Sequence, residues 1–250
     1  MNVENIKNKV ALVVGGSGGI GSAIVDQLLA DGFFVCATYA HEGQKQEALQ
    51  KKFDGTSVTF HKMDMLDPAE IAATLYKIRQ NHPKIDVLVY GPTLPYIHKK
   101  LIECTWADFE AQLQVQLRGM VEIIEQCKGQ IVAKHPLRCV IILTAACVGT
   151  PPSHMSPYVT AKYALMGFAK TMSVELGRYG CTVNMISPGM VETGLLADFP
   201  AKAVEFAAAQ NPSGKIGKPE DVAHIVSFLC SDAATHLNGV NLNLDGKEIV

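Results

Sequence analysis

Hydrophobic and polar positions along the chain follow two alternating patterns. Short runs rich in apolar and β-branched residues occur at "VALVV" (10–14), "FVCATY" (34–39), "VTFHK" (58–62), "DVLVY" (86–90), "CVIILT" (139–144), "TVNMIS" (182–187) and "VNLNL" (240–244). Between them lie longer stretches of helical periodicity near 20–31, 43–53, 68–81, 106–128, 157–178 and 220–231. The short runs predict strands and the longer ones helices. Strand runs that are apolar throughout imply burial on both faces, which is the condition of a parallel sheet covered by helices.

Local signals mark the helix boundaries. "DPAE" (67–70) offers an aspartate cap, proline at the first helical position and glutamate three residues after the cap. "TWAD" (105–108) is a weaker version with aspartate in place of the glutamate, and "KPED" (218–221) again opens a helix with proline and acids. Repeated βα units run without a composition break, a linker or an internal repeat. The prediction is one α/β domain over residues 1–250: a doubly wound, Rossmann-type parallel sheet of about seven strands with helices on both faces.

Composition adds mainly exclusions. With 250 residues, 48% hydrophobic, 18% charged and a formal net charge of −2, the chain can bury a substantial core. It shows no charge block suited to nucleic acid or an anionic membrane. The first apolar run is too short and too glycine-broken for a signal peptide or a membrane span. Seven cysteines are dispersed without C-x-x-C spacing, the pattern of reduced, buried thiols in a cytoplasmic protein. Eight histidines include no H-x-x-x-H pair, so no metal site is expected.

Two motifs carry candidate chemistry. "GGSGGIG" (15–21) follows the first strand and opens a helix that closes at Gly32. Glycines placed there allow a tight turn and close approach to a diphosphate, with the helix N-terminus facing the anion, although glycines also build plain turns. "YVTAK" sets Tyr158 and Lys162 four residues apart, one helical turn, so the two share a face. An exposed tyrosine beside a lysine has the same spacing, so the surrounding motifs decide between the readings.

Gly15, Gly19 and Gly21 fit G-x-x-x-G-x-G, and with "YVTAK", "VNMISPGMVET", "GKPEDVAHIVSFLCSD" and "LNGVNLNLDG" they resemble the short-chain dehydrogenase/reductase family over nearly the whole chain. Within it the chain looks most similar to the 3-oxoacyl-acyl-carrier-protein reductases. The resemblance implies a cofactor loop formed by Gly15, Ser17, Gly18, Gly19, Ile20 and Gly21. It also implies that Asp64 with Met65 receives the adenine amino group, that Gly91 lies in the cleft, and that Pro188, Gly189, Val191 and Thr193 meet the nicotinamide amide. Lys162 would then bind the nicotinamide ribose and lower the Tyr158 pKa toward working pH, so that Tyr158 protonates a substrate carbonyl as hydride arrives. A homotetramer is implied, with the helices at 106–128 and 157–178 pairing across a twofold axis.

At the end of the second strand Thr38, Tyr39, Ala40 and His41 stand without an acid among them. That absence favours NADP over NAD. Gly18 takes the place of the basic residue often found in NADP-preferring relatives, with His41 and Lys45 as substitutes. Three positions depart from the family. Its Asn-Asn-Ala-Gly reads "YGPT" (90–93), its relay asparagine reads Gln116, and its catalytic serine reads Ala146. Thr144, Ser153 or Ser156 could supply the missing hydroxyl. The segment 195–215 resembles the family's substrate lid, and Met155, Met190, Leu195 and Phe199 are candidates for an apolar substrate pocket. The expected function is NADP-dependent reduction of a carbonyl, on a small or carrier-bound acyl substrate. The alternatives are a partner subunit of a heteromeric reductase, or a non-redox isomerase or dehydratase using Tyr158.

Overall fold

The computed structural model describes residues 9–53, 55–96, 98–194, 196 and 200–246. Among these, seven strands form one sheet: β1 (Val10–Val14), β2 (Phe34–Tyr39), β3 (Val58–Lys62), β4 (Val87–Tyr90), β5 (Arg138–Ile142), β6 (Thr182–Pro188) and β7 (Asn241–Leu244). Neighbours pair in parallel in the order β3-β2-β1-β4-β5-β6-β7. The helices are α1 (Gly19–Ala30), α2 (Gln44–Lys52), α3 (Pro68–Asn81), α4 (Trp106–Leu113), α5 (Gly119–Val132), α6 (Ser156–Gly177), α7 (Ala201–Ala209) and α8 (Pro219–Cys230).

The lack of polar alternation in β1 has a direct cause. Val10, Leu12 and Val14 pack into a core with Ile71, Ile123 and Leu165 from α3, α5 and α6. Ala11 and Val13 face the opposite layer, with Ile24 and Leu28 of α1 and Val226 of α8. A strand with a helical layer on each side has no wet face. The predicted caps form as well: the Asp67 carboxylate accepts from the backbone N–H of Ala69 and Glu70, and that of Asp108 accepts from Thr105 N–H at 2.8 Å. No helix among the described residues is long and apolar enough to cross a membrane.

One helix departs from expectation. The stretch predicted at 106–128 reaches Val132 but is interrupted by a π-helical turn at Gln114–Arg118. The turn has a tertiary partner: Tyr90, at the end of β4, donates its phenol to the Val115 carbonyl at 2.5 Å. Gly119 makes room for it, since a Cβ there would lie 2.6 Å from the Tyr90 hydroxyl. A mid-helix glycine that costs about 1 kcal/mol relative to alanine is thus accounted for by close approach. Strand order reverses between β1 and β4, and such a switch point leaves a crevice at the strands' carboxyl ends. A Cβ on Gly15 there would lie 3.3 Å from the Pro92 nitrogen.

Candidate active site

The glycine loop is closed backbone to backbone. Gly15 has φ +82°, and a Cβ on Gly21 would lie 2.1 Å from the Gly15 carbonyl oxygen. Thr38, buried at the end of β2, accepts the Gly15 N–H on its hydroxyl at 3.2 Å. Gly18 is the N-cap of α1 and places no side chain over the helix end. A cradle with no room for side chains, under the positive end of a helix, fits a dinucleotide diphosphate. Thr193 meets this loop from the far side, because a Cβ on Gly19 would lie 2.8 Å from its methyl group. The β6 end segment is thereby brought to the cofactor loop.

Beside it opens a cavity of about 630 Å³, lined among others by Ile20, Gly91, Thr93, Tyr96, Thr144 and Ala146. Met155, Tyr158, Lys162, Pro188, Gly189, Met190, Val191 and Thr193 also line it. Tyr158 and Lys162 sit in the first two turns of α6, which opens with Pro157 near its start. Both are buried, so the reading of an exposed surface pair does not hold. The Lys162 ammonium donates to the Ile142 carbonyl at 2.8 Å and lies 5.8 Å from the centre of the Tyr158 ring. Burial lowers it to about 8, with Cys147 opposing.

The expected lowering of the Tyr158 phenol is overturned. Burial first, then Tyr96, hold it well above the ordinary tyrosine range, against a hydrogen bond with Thr144 that acts the other way. Desolvation of the phenolate outweighs the nearby lysine, whose ammonium is engaged by a carbonyl. At neutral pH the phenol therefore stays protonated, which is the state required of a proton donor.

The three departures take definite places. Ala146 lies in a 3-10 turn (Ala145–Cys147) capped by Thr144, whose hydroxyl accepts the Ala146 N–H at 3.3 Å. Thr144 and Ala146 both open onto the cavity, and it is the Thr144 hydroxyl that favours ionisation of Tyr158. Gln116 is fully buried in the π-helical turn and is not among the residues lining the cavity. Its amide donates to Gln112 Oε1 at 2.6 Å, and Gln112 donates to the Pro95 carbonyl at 3.3 Å. The extra methylene relative to asparagine is thus spent on a contact inside the protein. Tyr90 supports the helix through Val115, as described above.

Other expected positions are scattered around the cleft. Asp64 follows β3, and its carboxylate accepts the Leu66 N–H at 2.9 Å. The Met65 side chain is buried in the core, so only its main chain can face a ligand. Tyr39 is buried at the end of β2 and His41 is exposed just beyond it. Leu196 and Ala207 from the 195–215 segment line the cavity, while Leu195 and Phe199 lie outside the described residues. Tyr96 was not expected from the sequence. It follows β4 in a loop without periodicity, and its ring meets that of Tyr158 edge-on with centroids 4.8 Å apart.

A family model described as enoyl-(acyl carrier protein) reductase matches residues 15–246. The chain is 30% identical over 245 residues to 3-oxoacyl-[acyl-carrier-protein] reductase FabG of Escherichia coli (strain K12), covering 97% of this chain and 98% of that protein. It is 28% identical over 245 residues, 96% of each chain, to (2S)-[(R)-hydroxy(phenyl)methyl]succinyl-CoA dehydrogenase subunit BbsD of Thauera aromatica. The solved structure of gox2181 has a TM-score of 0.90 at 24% identity, with 98% of both chains covered.

Proposed function

The chain belongs to the short-chain dehydrogenase/reductase family and is an oxidoreductase of that kind, and from this premise we propose that it reduces the carbonyl of an acyl thioester with NADPH, using Tyr158 as proton donor. The observation that carries the proposal is the cluster of buried Tyr158 and Lys162 with half-buried Thr144 on the wall of a cavity that the Pro188–Thr193 segment also lines. The apolar lining by Met155, Val148, Met190 and Leu196 suits an acyl chain.

The cofactor, when bound, supplies the hydride. Gly15, Gly19 and Gly21 would hold its diphosphate, and Thr193 and Val191 would hold the nicotinamide end. Tyr158 presents its proton to the substrate oxygen and lowers the barrier as negative charge develops there. Thr144 orients the phenol and stabilises its anion after transfer. Lys162, buried and cationic below about pH 8, binds the ribose and helps replenish the proton. The direct test is NADPH oxidation in the presence of a 3-oxoacyl thioester; the absence of turnover with a range of chain lengths would refute the proposal.

A second reading is favoured by Ala146 and by the turning away of Gln116: a partner subunit in a heteromeric reductase, as the Thauera relative is itself a dehydrogenase subunit. A fluorescence titration with NADPH separates the two, because an assembly subunit has no need to bind it.

NADPH is expected to bind more tightly than NADH, since no carboxylate stands at the end of β2 to repel a 2′-phosphate. His41→Asp should weaken NADPH binding and spare NADH. Tighter NADH binding by the unaltered protein would reverse the assignment.

A homo-oligomer, a tetramer, is also proposed. Trp106 at 69% exposure on α4 and Val174 at 80% on α6 join Val121 and Tyr163 as apolar side chains left in solvent. Trp106, Leu113, Leu117 and Val121 border one surface groove, and an apolar face of this kind is suited to burial against a second copy. Light scattering should give a multiple of 27.0 kDa, and Val121→Glu should reduce it. A monomer at micromolar concentration would overturn this.

A further inference from the structure

Ala146 brings no hydroxyl to the cavity, yet the cavity lining also carries a second phenol. Tyr96 and Tyr158 both line the cavity, their rings meet edge-on, and each phenol shifts the ionisation of the other. Tyr96 and Ala146 pack against the same small cluster of Met155, Tyr158 and Val159. We propose that Tyr96 is the second donor to the substrate oxygen, a catalytic phenol that takes over from the hydroxyl missing at Ala146.

Several observations converge on this assignment. A carbonyl oxygen has two lone pairs, and Tyr158 satisfies one. A fixed donor for the other stabilises the developing anion most when it is already in place. The Tyr96 ring packs edge-on against that of Tyr158, with centroids 4.8 Å apart. The loop bearing it is held as well: Gln112, fully buried, grips the Pro95 carbonyl and is itself held by Gln116. The glutamine at the relay position thus acts as a positioning residue for Tyr96, and two family departures become one substitution of function. The groups facing the Tyr158 phenol are Tyr96, Thr144 and Cys147, with the Lys162 ammonium near the ring. Burial raises the Tyr96 phenol while Tyr158 lowers it, and Tyr158 is raised by Tyr96 in turn. Each phenol thus bears on the ionisation of the other.

The donor role rests on the carbonyl-reduction reading, but the coupling does not, so two measurements are needed. The first uses no cofactor: phenolate absorbance is followed against pH, and Tyr158 ionisation is isolated by difference from Tyr158→Phe. Tyr96→Phe is expected to lower the Tyr158 titration and Thr144→Val to raise it. An unchanged titration in Tyr96→Phe overturns the proposal whether or not the protein turns over. The second is kinetic. Tyr96→Phe should lower kcat for a 3-oxoacyl thioester about 10- to 100-fold with KM for NADPH unchanged. Ala146→Ser should then restore Tyr96→Phe by a larger factor than it raises the parent, because the two hydroxyls serve one oxygen. Equal factors in both backgrounds, or full activity in Tyr96→Phe, would overturn the proposal. Gln112→Leu, which frees the loop but keeps the phenol, should give a smaller loss of the same kind. A parent protein with no turnover refutes the function and the donor role together, and leaves the titration to judge the pair.

Discussion

Tyr158→Phe is expected to lower carbonyl reduction by about 10²- to 10⁴-fold, the range of a lost general acid, while NADPH affinity stays nearly unchanged. The ring keeps its place in the Met155 and Val159 cluster, so the fold should be unaffected and the loss should appear in kcat. Lys162→Ala should differ by damaging both kcat and NADPH affinity. It removes a cation hydrogen-bonded to the Ile142 carbonyl at 2.8 Å and the partner proposed for the ribose. The pH profile separates the two groups further. The Lys162 pKa is depressed by burial to about 8, so the folded protein loses this proton earlier than the unfolded chain. Its contribution to NADPH binding is therefore present below about pH 8 and lost as pH rises through it. The Tyr158 phenol is shifted the other way and remains a donor throughout that window. Activity in Tyr158→Phe within twofold of the parent would remove Tyr158 from the mechanism.

Gly21→Ala is expected to abolish tight NADPH binding, raising Kd by more than about 100-fold, or roughly 2.7 kcal/mol. An added methyl would lie 2.1 Å from the Gly15 oxygen and 2.9 Å from the Gly16 Cα. Both are backbone atoms, so relief requires the whole loop to move. Helix propensity favours alanine by only about 1 kcal/mol, too little to offset that collision. A control lies in α5, where a Cβ on Gly129 would meet nothing within 4 Å. Gly129→Ala should stabilise the protein by about 0.5–1 kcal/mol in thermal unfolding and leave NADPH binding alone. Fluorescence titration of both variants reads the contrast. Tight binding retained by Gly21→Ala would mean that the diphosphate is held elsewhere.

The elements legible in the sequence are those specified by neighbours along the chain. Apolar runs such as 10–14 and 182–187 appear as strands buried on both faces, because burial on both sides leaves no polar alternation in the sequence itself. Asp67 and Pro68 mark the start of α3 because a cap acts over two or three residues. The glycine loop and the four-residue spacing of Tyr158 and Lys162 are local in the same sense, so the family resemblance rests on short-range pattern. What required the tertiary structure are relations across long sequence separations. Tyr90 meets the Val115 carbonyl beside Gly119, turning a predicted continuous helix into one broken by a π-helical turn. Gln116 turns from the cavity to Gln112, and Tyr96 comes to face Tyr158. The direction of the Tyr158 shift also depended on the fold. A lysine one turn away argues for a lowered phenol, but the proton is held by removal of water from around it, and that is a property of packing from β5, the 96 loop and α6 together.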